Sequence, residues 1–174
     1  MSQQQPYFDK SDRTEAELHP EQVAGDIMKP HKKELERTLR KLGADKYDLT
    51  VPETHMLPRV IQPNEEIMGV VYGRYVRDEP AGKKIIGRGL LVATDKRVLL
   101  IDRKPVFIKN NEIAYKVVSA VTYSKVAFIG TVTLHTRLGN INVRTFNDAC
   151  ATGFVRAIEK QLFSERGVAN DQAN

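Results

Sequence analysis

The chain has 174 residues, of which 41% are hydrophobic and 28% charged, and its formal net charge is +5. These values are typical of a globular protein with one domain and appendages, and no apolar run reaches the roughly 18 residues that would span a bilayer. The N-terminus does not have the pattern of a secretory signal, and the lone cysteine, Cys150, excludes an internal disulfide framework, so a cytoplasmic protein is expected.

The first part of the chain is predicted to be a tail followed by helices. Residues 1–15 are polar and lack periodicity, which indicates disorder. One helix is expected to start at Pro20, and an amphipathic helix is expected at residues 31–42, ending at Gly43. The apolar face of this second helix consists of Leu35, Leu39 and Leu42. Residues 44–64 contain three prolines and are predicted to be a connecting segment.

The middle of the chain is predicted to form about seven β-strands, since β-branched and aromatic residues recur in short runs between turn signals. The runs are residues 65–76, 90–93, 98–101, 106–109, 119–125, 128–136 and 141–146. Asn110-Asn111 predicts a turn or bulge after the fourth run, with extended structure resuming at residues 112–115.

The second and third runs predict a β-hairpin around Thr94-Asp95-Lys96-Arg97. Neither run alternates apolar and polar residues, so both faces of the hairpin are expected to be covered. A two-residue turn at Asp95-Lys96 divides the hairpin into one face of Leu90, Val92, Leu99 and Ile101 and another of Leu91, Ala93, Val98 and Leu100. Asp-Lys is not the Asn-Gly typical of so tight a turn, so a longer turn with a shifted register is the alternative, and two apolar faces are expected in either case.

The outer face of this hairpin needs a cover, because a bent sheet with one helix at its end protects only its inner face. Either helix 31–42 or another subunit is expected to supply that cover. The candidate interface residues are Leu35, Leu39, Leu42, Leu91, Val98 and Leu100.

A C-terminal helix is predicted to close the domain. Asn147 is a favourable N-cap and Asp148 suits the first turn. An apolar stripe follows, formed by Ala151, Phe154, Val155, Ile158 and Leu162. Gly167 is expected to end the helix and to begin a polar tail.

This order of elements resembles the bacterial pleckstrin-homology-like (PH-like) domains, in particular the YokE-type group. The resemblance rests on GLLVATDKRVLLIDR as the second and third strands, on EIAYKVVSAV leading into the fifth, and on IEKQL in the final helix. It implies a mainly β (α+β) fold, in which a seven-stranded bent sheet forms a partly open barrel, capped by the C-terminal helix and preceded by N-terminal helices.

The chain is accordingly divided into four parts. They are a disordered tail at 1–15, an N-terminal helical segment at 16–57, a PH-like domain at 58–166 and a tail at 167–174.

The resemblance also implies candidate anion-binding or lipid-binding residues, because relatives that bind phosphoinositides use basic residues around the loop between the first two strands. The candidates here are Lys83, Lys84, Arg88, Lys96 and Lys104. Asp78 and Glu79 in the same loop oppose an anionic ligand. A competing interpretation is that charges at hairpin tips and strand edges keep a β protein soluble and its edges unpaired.

The sequence offers little chemistry for catalysis. Cys150 with His135 and Asp148 resembles a nucleophile with a base and an orienting acid, but Cys150 belongs to the apolar side of the helix, as is typical of a small buried hydrophobe. No histidine or cysteine spacing fits a metal site, and no glycine-rich fingerprint fits a nucleotide. No catalytic, cofactor-binding or metal-binding residue is therefore assigned.

The sequence predicts a non-catalytic binding or scaffold module that self-associates or binds a protein partner. The alternatives are weak recruitment to an anionic membrane surface and, less favoured, a Cys150-dependent enzyme. Nucleic acid is not expected, because the basic segment lacks interleaved aromatic residues. Neither a cofactor nor a small-molecule substrate is expected.

Overall fold

The computed structural model describes residues 32–104 and 108–171. The tail at 1–15 and the helix expected at Pro20 lie outside the described residues. The helices are α1 at 32–41, α2 at Lys46–Thr50, α3 at Leu57–Val60 and α4 at Asp148–Asp171. No helix within 32–104 and 108–171 is long and apolar enough to cross a membrane.

Seven strands form one antiparallel sheet, as predicted. They are β1 at Ile67–Asp78, β2 at Lys84–Thr94, β3 at Val98–Arg103, β4 at Ile108–Ile113, β5 at Val118–Val126, β6 at Ile129–Thr136 and β7 at Gly139–Thr145. Their order across the sheet is β4-β3-β2-β1-β7-β6-β5, so β1 pairs with β7 and the two edge strands leave the sheet open.

The inner face of the sheet and α4 enclose the main core. Phe154 and Ile158 of α4 are fully buried, and α4 packs mainly against β1 and β5. From the hairpin, this core receives Leu91, Ala93, Val98 and Leu100. Burial of these side chains holds the helix against the sheet, at roughly 1.5–3 kcal/mol for each large apolar side chain.

The N-terminal helices cover part of the outer face of the sheet, so the hairpin has apolar contacts on both sides, as predicted. Leu39 and Leu57 are buried against the outer side chains, and Leu35 and Leu42 pack at the margin of this cluster. The outer side chains of the hairpin are Leu90, Val92, Leu99 and Ile101.

The candidate interface therefore needs correction. Leu91, Val98 and Leu100 are fully buried in the inner core, where they face α4 and offer no surface to a partner. Leu35, Leu39 and Leu42 do cover the outer face, but they do so within a single chain. The hairpin register is as expected, with Ala93 opposite Val98 and a two-residue turn between Thr94 and Arg97.

Three local predictions were wrong: a turn, a connecting segment and the end of a helix. Asn110 and Asn111 form no turn, because they pair with Ile101 and Leu100 in a continuous β4. The segment 44–64 is not simply a connection, since it contains α2 and α3, and Asp45 begins α2 with a capping box. Helix α4 continues past Gly167 to Asp171, because one glycine costs a helix only about 1 kcal/mol.

Candidate functional site

The predicted basic residues do not form one site. Lys83 and Lys84 lie where β2 begins, whereas Lys96 lies in the turn beyond the other end of β2, about 33 Å away along the strand. Two of the lysines have acidic neighbours. Lys84 Nζ is 3.9 Å from Asp78 Oδ1, and Lys104 Nζ is 3.2 Å from Asp102 Oδ1. The remaining candidate, Arg88, lies on the outer face of β2.

The Thr94-Asp95-Lys96-Arg97 turn is a structural clamp. Arg97 binds Glu65 through both carboxylate oxygens, with Nε–Oε1 at 2.8 Å and Nη2–Oε2 at 2.9 Å. Nη2 also donates to the carbonyl oxygen of Val60 at the end of α3. The hydroxyl of Thr94 donates to Glu65 Oε1 at 2.8 Å. The motif that carries the family resemblance thus joins the hairpin to α3 and to the residues before β1.

The clamp also determines the protonation of Glu65. Burial alone raises the pKa of this carboxyl, but hydrogen bonds from Arg97 and from two further donors outweigh burial and lower it to about 2. The same pair raises the pKa of Arg97. Both groups are therefore charged across the physiological pH range. Each neutralises the other within the fold.

A different set of arginines lies exposed on the outer face of the sheet. Arg74 of β1 is directly opposite Arg88 of β2 and directly opposite Arg144 of β7. We call these three residues the arginine row. Neighbouring strands lie about 4.8 Å apart, so the row spans roughly 10 Å across three strands. Within 32–104 and 108–171, none of its members forms an ion pair.

The arginine row lines a cleft of about 380 Å³ between the sheet and α2. Tyr72 of β1 forms one wall, and its ring meets that of Tyr47 edge to face with centroids 5.9 Å apart. Asp45 and Asp48 also lie at the α2 side, where they cap each other's backbone amides. Both of these carboxylates in the cleft are thus engaged in capping α2.

Large apolar side chains border the same surface. Phe146 is 76% exposed and stacks on Phe128, with ring centroids 6.1 Å apart. Ile86 precedes Arg88 by two residues on β2 and is 56% exposed. We call the uncovered part of the outer sheet surface the open face; it comprises the arginine row with Ile86, Ile129 and Phe146.

Sequence reasoning singled out Arg88 and missed Arg74 and Arg144. Strand alternation could have placed each of them on an outer face, since each lies between inward-facing residues. Their juxtaposition depends on the cross-strand register of β1 with β7, strands that lie far apart in the chain, and no motif in either strand announces it.

Cys150 lies in a buried polar cluster between α4 and the N-terminal segment. It is 1% exposed, and its Sγ is 3.8 Å from Asp48 Oδ2. Asn147 caps α4 by accepting from the Cys150 amide, and its side-chain amide donates to Asp48 and to the Gly43 carbonyl oxygen. Burial, followed by the charge of Asp48, raises the pKa of the thiol to about 12.

The structure does not join Cys150, His135 and Asp148, the residues of the hypothetical catalytic arrangement, in one hydrogen-bond network. His135 contacts Thr122 and Asn140, whereas Asp148 accepts from Tyr123 and pairs with Lys125. Neither hydrogen-bonds to the Cys150 thiol, which packs in the outer cluster beside Leu39. Over the described ranges, no group of His, Cys, Asp and Glu side chains is arranged to hold a metal ion.

We expect the Cys150 thiol to be unreactive in the folded chain. Iodoacetamide at pH 8 should alkylate it at least about a hundredfold more slowly than in the urea-unfolded chain, because burial and a raised pKa leave little accessible thiolate. Mass spectrometry of timed samples measures both rates. Equal rates in the two states would contradict the buried, protonated thiol.

Comparisons with known proteins address the fold. The family model described as "Bacterial PH domain" matches residues 61–160. A search of curated proteins gave no significant match.

Three solved structures illustrate the likeness. The Vps36 N-terminal PH domain has 15% identity and a TM-score of 0.48, covering 62% of this chain and 86% of that one. A DUF1696 family protein with a pleckstrin-homology domain from Shewanella loihica has 16% identity and a TM-score of 0.39, with coverages of 62% and 91%. The C-terminal domain of an unknown protein from Leishmania infantum has 14% identity and a TM-score of 0.42, with coverages of 63% and 93%.

Proposed function

The chain belongs to the bacterial PH domain family, and we propose that it is a non-catalytic protein-binding or scaffold module whose partner docks on the open face. The observation that supports this most directly is the contrast between the two parts of the outer sheet surface. The N-terminal helices bury one part, whereas the other exposes Phe146, Ile86 and three arginines. Exposed apolar side chains grouped with arginine are typical of protein interfaces.

The open face supports protein binding better than the alternatives. Self-association was expected because the outer face of the hairpin needed a cover, and the chain's own helices provide that cover. A second copy thus becomes one of several partners that the open face could receive. Membrane recruitment through Lys83, Lys84, Arg88, Lys96 and Lys104 has weaker support. Lys83 and Lys84 lie where β2 begins, Lys96 lies beyond its other end, and Lys84 and Lys104 have acidic neighbours.

Affinity capture with the full chain tests this proposal. We expect partners retained by the wild-type chain to be lost from the double variant Ile86→Ser, Phe146→Ser, because serine removes the apolar part of the open face. Phe163→Ser is a matched control, since Phe163 is 70% exposed on α4. Sedimentation of the wild-type chain alone shows whether one partner is a second copy. An unchanged set of captured proteins, together with a monomer that the substitutions do not alter, would rule the proposal out.

A further inference from the structure

The arginine row is an unusual arrangement for a sheet surface. Like charges directly opposite each other on paired strands are destabilising, and here Arg74 has such a neighbour on each side. Ordinary sheet surfaces offset such charges with acidic cross-strand partners. The acidic residues at the end of β1 and just after it pair elsewhere, since Asp78 lies near Lys84 and Glu79 binds Arg77.

The chemistry of the row suits oxygen anions. Each guanidinium presents a planar fork of N–H donors that matches a carboxylate or phosphoryl group, and three forks within roughly 10 Å can hold several such groups together. Clustered arginines are a common means of recognising acidic or phosphorylated protein motifs. The surrounding side chains, Tyr72, Ile86 and Phe146, offer apolar contacts to neighbouring residues of such a motif.

We propose that the arginine row binds a short acidic motif of a protein partner, with glutamate, aspartate or phosphorylated side chains on the arginines and apolar side chains against Phe146 and Ile86. This inference rests on the proposed function, of which it specifies the partner's chemistry. A protein is favoured over a nucleic acid because the exposed aliphatic side chains of Ile86 and Ile129 border the arginines, whereas interfaces with nucleic acids are more polar and more positively charged. It is favoured over a membrane because the arginines lie within a cleft beside α2.

Peptide titration against the full chain tests the inference. The probe is a fluorescein-labelled glutamate-rich peptide interrupted by leucines, and the control peptide has glutamine in place of every glutamate. Fluorescence anisotropy should show binding of the glutamate peptide that weakens with salt. Arg74→Ala and Arg144→Ala should each weaken it about tenfold or more, the effect of losing a charge-assisted hydrogen bond. A phosphoserine version of the peptide shows which oxyanion is preferred.

Arg137→Ala is the matched control, since it removes the same charge from an exposed arginine in the β6–β7 turn. Thermal melting distinguishes a binding role from a structural one. Removing one of three opposed like charges should leave the melting temperature unchanged or raise it, whereas a structural arginine would lower it.

Three results would overturn the inference: equal affinity for the glutamine peptide, equal loss in Arg137→Ala, or arginine-dependent binding of phosphatidylserine vesicles or a uridine oligonucleotide instead of the peptide. If the peptide does not bind but the Ile86→Ser, Phe146→Ser chain still loses its captured partners, only the acidic chemistry is wrong. If the capture is also unaffected, the proposed function fails as well.

Discussion

Arg97→Ala should destabilise the folded chain by about 3–5 kcal/mol, the usual effect of removing one partner from a buried ion pair. Arg97 joins the hairpin to α3 and to Glu65, whose side chain is fully buried. Alanine leaves this carboxylate inside the protein with only its hydroxyl and amide donors. Arg97→Lys should recover only part of the loss, since an ammonium cannot reproduce the forked contact.

The effect of Arg97→Ala should depend on pH in a defined direction. The pKa of Glu65 is about 2 in the folded chain against 4.5 as its ordinary value. A carboxyl with a lowered folded pKa stabilises the fold above its unfolded pKa, and this contribution is lost as the pH falls through the folded pKa. The free energy of unfolding of Arg97→Ala should therefore fall furthest below that of wild type at neutral pH, and this difference should decrease as the pH falls from about 4.5 to about 2.

Urea unfolding followed by circular dichroism, repeated at several pH values, measures both effects. Lys96→Ala is the matched control, because Lys96 lies in the same turn and is exposed. We expect that control to change stability by no more than about 0.5 kcal/mol. A loss in Arg97→Ala as small as that of the control, or one independent of pH, would show that the clamp does not hold the hairpin.

The hairpin of β2 and β3 shows which features of the fold can be predicted from the sequence and which cannot. Its two strands, its two-residue turn and the composition of its two faces follow from residue spacing, because side chains alternate along a strand. Residue spacing does not determine which of the two faces becomes the inner one. That outcome depends on the direction in which the sheet bends and on where α4 packs, so Leu91, Val98 and Leu100 were assigned to an interface although they lie in the core.

The arginine row shows a second limit. Lys83 and Lys84 are adjacent in the chain and so form a visible basic pair in the sequence, whereas Arg74 and Arg144 meet only through the pairing of β1 with β7. The family resemblance rests on the Thr94–Arg97 motif, and the side chains of Thr94 and Arg97 bind Glu65 within the fold. In this chain, therefore, the motif that carries the family resemblance lies apart from the surface proposed to bind a partner.

Gly73→Ala should disrupt the pairing of β1 with β7 beside the arginine row, through a clash with the backbone. A Cβ atom at Gly73 would lie 2.0 Å from the carbonyl oxygen of Arg144 and 2.8 Å from its carbonyl carbon. Neither atom can rotate away, since both belong to the backbone of β7. The pairing of β1 with β7 must therefore separate locally, and we expect a loss of more than about 3 kcal/mol, at or beyond the upper end of ordinary overpacking.

Gly153→Ala is the matched control for the added methyl group. Its Cβ would lie 3.4 Å from the carbonyl oxygen of Leu42, an ordinary contact, within a helix that favours alanine over glycine by up to about 1 kcal/mol. Thermal and urea unfolding should therefore show Gly153→Ala unchanged or more stable and Gly73→Ala strongly destabilised. Equal stability of the two variants would contradict the close contact between β1 and β7.

Gly73→Ala also connects the fold to the proposed site, because the contact that it breaks is the one that brings Arg74 beside Arg144. Any Gly73→Ala chain that remains folded should bind the glutamate-rich peptide more weakly than wild type, although all three arginines are present. Arg74→Ala should instead weaken binding without loss of stability. Anisotropy titrations on chains verified as folded by circular dichroism measure this difference. Wild-type affinity in folded Gly73→Ala would mean that the spacing of the two arginines does not matter for binding.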